Sequence, residues 1–202
     1  MQSLNYKEPI FQLKQPLHQP QDRQGVFHLR WGGDRAFLET YYTRLDQALI
    51  LWAWCVFVIF ATAQFSPLDW YWQAIAWSSL SGLAIMVTNW LTWQWAQLKN
   101  LRWIIYYWSA LMLLGVCLTD YGIFGGCPSI LLNLCPLWLG LSALGYGVTA
   151  GGMRSRALAL TSGLHLGAIA ALPWFLGWQF LFTGSVIALS LVFLSVLQWD
   201  HQ

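Results

Sequence analysis

The chain has 202 residues, of which 57% are hydrophobic and only 9% charged, with a formal net charge of +2. A soluble domain of this size carries about 25% charged residues, so the composition excludes an ordinary water-soluble fold. The small net charge and dispersed Lys and Arg exclude a nucleic-acid partner bound by electrostatic steering.

Residues 1 to about 25 are polar, with Gln2, Gln12, Gln15, Gln19, Gln21 and Gln24 spaced by Pro9, Pro16 and Pro20. Too few large apolar groups occur here to offset the entropy of ordering, so residues 1–33 are expected to be a mostly disordered cytoplasmic tail. MQSLNYKEPI reads as no cleavable signal, which leaves insertion to the first apolar run. Asp34 is the expected N-cap of an amphipathic helix carrying Phe37, Tyr41 and Leu45 on one face.

Residues 34–202 are expected to form an all-α transmembrane domain. From Gln47 to Leu98 the one Asp, Glu, Lys or Arg is Asp69; from Trp103 to Met153 it is Asp120; from Ala157 to Trp199 there is none. A spanning helix needs about 20 apolar residues. Six segments qualify, at about 47–65, 70–95, 102–119, 130–150, 157–173 and 178–198. Pro173 and Gly177 divide the last two. Six spans place every basic segment on one side: the tail up to Arg44, then Lys99 and Arg102, then Arg154 and Arg156. Basic loops stay cytoplasmic, so both termini are expected inside.

Of the 15 tryptophans, most fall near span ends, among them Trp52, Trp95 and Trp199, and read as an interfacial belt. Trp77, Trp108 and Trp138 lie deeper and are free to pack on a flat ligand. Small residues at every fourth position allow close helix approach. Ala143, Gly147 and Gly151 in span four, with Ala159, Gly163, Gly167 and Ala171 in span five, are expected to form a tight antiparallel hairpin.

Two groups are candidates for chemistry. His165 is the one Asp, Glu, Lys, Arg or His expected deep in a span. It reads as a neutral imidazole bonded to a neighbouring helix, an axial ligand to haem or chlorophyll, or a proton-relay member. Cys127 and Cys135, in GGCPSILLNLCP, lie toward the oxidising face and read as a disulfide, two free thiols or a redox pair. No phosphate loop, metal-ligand cluster or catalytic triad motif is present.

The expected role is therefore a non-enzymatic accessory subunit or assembly factor, with the lipid bilayer and other membrane subunits as partners. Alternatives are a small transporter or channel with a wet path past His165, and a pigment-handling, haem-handling or thiol-redox membrane protein. The Gln-rich tail, scarce Lys and abundant Trp resemble the composition of small cyanobacterial or plastid-type membrane proteins. The expected location is the cytoplasmic (inner) membrane or a thylakoid membrane.

Overall fold

The computed structural model describes residues 9–14, 27–31 and 38–200, and three of its helices begin at a side-chain cap. Two short antiparallel pairs flank them. Strand β1 (Phe11–Leu13) pairs with β4 (Leu197–Trp199), and β2 (Phe27–Trp31) with β3 (Leu38–Tyr42). Seven helices lie between: α1 Arg44–Phe65, α2 Trp70–Leu98, α3 Arg102–Phe124, α4 Pro128–Leu131, α5 Leu134–Met153, α6 Arg156–Ala171 and α7 Gln179–Val196. Among the described residues, six helices (all but the four-residue α4) are long and apolar enough to cross a membrane, α6 being prolonged by a 3₁₀ turn at Leu172–Phe175.

The approach to the first span differs from expectation. Asp34 and Phe37 lie outside the described residues, but Leu38–Tyr42 is extended, and no amphipathic helix runs through it. The helix starts instead at a capping box. The Thr43 hydroxyl accepts from the Asp46 backbone N–H at 3.3 Å, and the Thr43 N–H donates to Asp46 Oδ2 at 2.8 Å. Thr40, Tyr41 and Tyr42 ahead of it are strand formers. The stretch expected to be a structureless tether likewise contributes β1 and β2.

Further along, Asp69 caps α2 by accepting from the Tyr71 N–H at 2.7 Å, and Ser155 caps α6 by accepting from the Leu158 N–H at 3.3 Å. Gly177 makes the turn into α7 at φ +85°, a left-handed conformation that a side chain would strain.

Helix α1 packs on α2 and α7, α2 on α3, α3 on α5, and α5 on α7, which closes a five-helix ring; α6 packs outside it against α5 and α7. One end of the bundle gathers both described chain ends and every basic loop. Arg44 donates to Gln94 at 2.7 Å, Lys14 is ion-paired with Asp46, and Arg102 lies over the Trp93 ring at 5.5 Å. Asp200 accepts from the Ser155 hydroxyl at 2.7 Å and from the Arg156 and Ala157 backbone N–H groups at 2.8 and 3.1 Å. Its carboxylate thereby sits on the positive N-terminal end of α6.

The α5–α6 hairpin is present, with Ala143 and Gly147 of α5 at its seam as expected, but the expected α6 stripe does not meet them. Ser162 supplies the contact, donating to the Ala143 carbonyl at 2.7 Å beside Gly147. Gly163, Gly167 and Ala159 face outward, and an added Cβ at Gly163, Gly167 or Gly151 meets nothing within 4 Å. Four other glycines receive aromatic rings: Gly115 seats Trp138, Gly145 seats Trp108, Gly152 seats Trp103 and Gly184 seats Phe60, while Gly122 seats Ile130. A flat ring fills the missing side chain's space with more dispersion contact than a second glycine offers.

Candidate functional site: a shaft inside the helix ring

Five helices in a ring leave an axial space wherever small side chains face the centre. Ala48 on α1, Ser81 on α2, Ser109 on α3 and Ser142 on α5 do so, and a cavity of about 190 Å³ runs between them. Along α1 it is lined from Leu45 to Phe60, sixteen residues and therefore about 22 Å of helix. Leu45, Leu49, Trp52, Val56 and Ile59 recur at intervals of three and four, so one continuous face of α1 forms a wall. Trp52, Trp95 and Trp199, expected in the interfacial belt, line this shaft. Trp199 is 5% exposed.

Several of the shaft's polar groups are committed within the protein, while Thr88 Oγ1 and Trp199 Nε1 are buried on its wall without a hydrogen-bond partner. Thr92 donates to the Thr88 carbonyl at 2.8 Å and Thr149 to the Gly145 carbonyl at 2.8 Å. Ser109 donates to Asn89 Oδ1 at 3.1 Å, and Trp108 donates to the Thr149 hydroxyl at 3.0 Å. Hydroxyls folded back on their own helix present methyl and methylene surface to the axis. An apolar chain suits most of this surface, and Thr88 Oγ1 and Trp199 Nε1 are polar atoms left to contact an occupant.

A smaller cavity of about 40 Å³ adjoins the shaft and shares Ile59, Phe60, Ser81 and Trp138 with it. On its wall is Asp120, whose two carboxylate oxygens accept from the Ser78 hydroxyl at 2.9 and 2.8 Å. Asp120 was expected outside the third span, leaving His165 alone within the bundle. Helix α3 continues to Phe124, so Asp120 is helical and about 6 Å from the helix end. The apolar Tyr121, Ile123 and Phe124 beyond it were the signal that the span goes on.

His165 does not reach the shaft. Its ring is fully buried, Nδ1 lies 2.8 Å from the Thr161 carbonyl, and Nε2 has no hydrogen-bond partner. The carbonyl can only accept, so Nδ1 carries the proton. Tyr146, which lines the shaft, packs against the imidazole at 5.2 Å between ring centroids. No space for a haem or chlorophyll adjoins the ring among the described cavities.

Cys127 and Cys135 are not bridged. Both are free thiols, Cys127 half-buried ahead of α4 and Cys135 buried in α5 facing Thr183 of α7. The intervening residues are wound largely into helix, which carries the two cysteines out of disulfide reach. Among the described residues, no group of three or more His, Cys, Asp or Glu is placed to hold a metal ion.

Compared with protein-family models, with curated proteins and with solved structures, the chain matches none.

Proposed function

We propose that this chain is an integral membrane protein that holds a lipophilic molecule in its central shaft, as a non-enzymatic accessory or assembly factor of a membrane complex. The observation that carries the reading is the shaft itself: about 190 Å³, walled mainly by apolar and aromatic side chains, with the Thr92 and Thr149 hydroxyls turned back on their own helices. Small-molecule sites are concave and mostly apolar, with a few placed polar groups. The chain ends and basic loops face the cytoplasm, in keeping with the positive-inside rule, in an inner or thylakoid membrane. The pigment and haem reading loses its support at His165, which packs on Tyr146 away from the shaft. The thiol-redox reading loses its support in the separation of Cys127 from Cys135.

The test is purification in lipid nanodiscs followed by solvent extraction and mass spectrometry. One lipophile per chain is expected, lost in Ala48→Phe and Ser142→Phe, each of which fills the shaft. An extract identical for wild type and both variants overturns the reading. Native electrophoresis in mild detergents tests the accessory role, for which the chain is expected in an assembly larger than itself; a free monomer throughout refutes that part. A transporter is the second reading, because the adjoining cavities extend the shaft toward Asp120. It predicts flux in proteoliposomes that Ala48→Phe abolishes.

A further inference from the structure

Asp120 is the one Asp, Glu, Lys or Arg on the walls of the two adjoining interior cavities, and its surroundings leave it under-supplied with donors. A single hydroxyl, that of Ser78, spans both of its oxygens. The nearby indole donors are engaged elsewhere: Trp77 donates to Thr62 at 2.9 Å and Trp138 to Thr119 at 3.2 Å. No Lys, Arg or His is paired with Asp120 among the described residues. Ser78 lies about 12 Å along α2 from its start, and Asp120 about 6 Å from the end of α3, so the half-buried pair sits one to two helical turns in from one end of the bundle. An ionisable group at such depth costs free energy unless something pairs with it, and is a functional candidate for that reason.

We infer that Asp120 and Ser78 form the head-group site for a lipophile bearing a primary amine, whose slender apolar body extends down the shaft toward Trp199. This deepens the shaft reading and rests on it. The 40 Å³ cavity beside the carboxylate fits a small head and excludes a ring system. An ammonium supplies the missing donors and the missing charge together, as a charge-assisted hydrogen bond. A carboxylate head of the same length meets Asp120 with like charge and is rejected. The four residues shared by the two cavities make head site and tail site continuous.

The experiment uses 12-bromododecylamine, 12-bromododecanol and 12-bromododecanoate as probes, titrated into the full chain in nanodiscs. Bromine quenches the shaft tryptophans on contact, and Ala48→Phe supplies the background. Wild type is expected to bind the amine saturably and at least tenfold more tightly than the carboxylate. Asp120→Asn lowers amine affinity about tenfold and leaves the alcohol unchanged, whereas Asp120→Glu keeps the amine preference. If Asp120→Asn does not fold, Ser78→Val replaces it, with at least a threefold loss for the amine while alcohol binding persists. Saturable binding with the same amine-to-carboxylate ratio in wild type and variant overturns the head-site inference and leaves the shaft reading intact. No saturable quenching by any probe above the Ala48→Phe background overturns both.

Discussion

Trp108 and Trp138 are exchanged between α3 and α5: each indole lies on a glycine of the other helix and donates its Nε1–H to the threonine one turn further along. Trp108 sits on Gly145 and bonds Thr149 at 3.0 Å; Trp138 sits on Gly115 and bonds Thr119 at 3.2 Å. Both threonines pass the bond on, donating to the carbonyl of the glycine beneath, at 2.8 Å in each case. The unit is thus Gly-x-x-x-Thr facing Trp, used twice in opposite directions. It satisfies two buried N–H groups that hydrocarbon could not.

A methyl added at these glycines has nowhere to go. An ideal Cβ on Gly115 lies 2.7 Å from the Trp138 ring, and one on Gly145 lies 2.5 Å from the Trp108 ring. Gly115→Ala and Gly145→Ala are each expected to cost about 1–3 kcal/mol through overpacking. Gly163→Ala meets open space and is expected to be neutral or mildly stabilising, since alanine is the better helix former. Thermal unfolding in a single detergent checks this ordering; a larger loss at Gly163 than at Gly145 contradicts the packing described.

Thr119→Val and Thr149→Val keep shape and remove the acceptor. Each is expected to cost about 0.6–1.7 kcal/mol, the range measured for hydrogen bonds between membrane helices. The indole left unbonded should also shift its fluorescence to shorter wavelength. Spectra unchanged in both variants refute the bonded pairs.

The Asp200 clasp should depend on pH. Burial pushes its carboxyl upward, but the Ser155 hydroxyl, the Ala157 and Arg156 backbone N–H groups and the Arg156 side chain outweigh this and hold it below the ordinary value. A depressed folded-state pKa gives stability that is present above the unfolded value, about 3.9, and lost as pH falls through the folded one. Hydrogen exchange at Leu197–Trp199, corrected for its intrinsic rate, is expected to be protected at pH 6 and to lose protection below about pH 4. Asp200→Asn should show weak protection at both; equal protection in wild type at both pH values counts against the clasp.

All four cysteines are expected to alkylate in denaturant without prior reduction. Intact mass after treatment decides it. Two alkyl groups fewer than four would show a bridge between Cys127 and Cys135.

The six long apolar helices were legible because each leaves a one-dimensional mark: about 20 residues without charge, closed by Pro, Gly or a polar cap. The turn at Gly177 and the grouping of the basic loops at one end followed from the same rule. Capping of the first helix was less legible: Asp34 was the expected N-cap, and Thr43 with Asp46, three residues on, forms it.

What lines the axis was decided only by tertiary structure. Periodicity names a helix's faces but not which face meets a neighbour and which meets lipid, because apolar residues suit both. The stripe at Gly163 and Gly167 therefore looked like a seam and faces outward, while Gly115 and Gly145, which form no stripe, receive the buried indoles. Trp52 and Trp199 became shaft walls, and Asp120 became an interior carboxylate, when five helices closed into a ring. Sequence alone sets how many helices are long and apolar enough to cross a membrane; the choice of neighbours around the ring sets where the bundle is hollow.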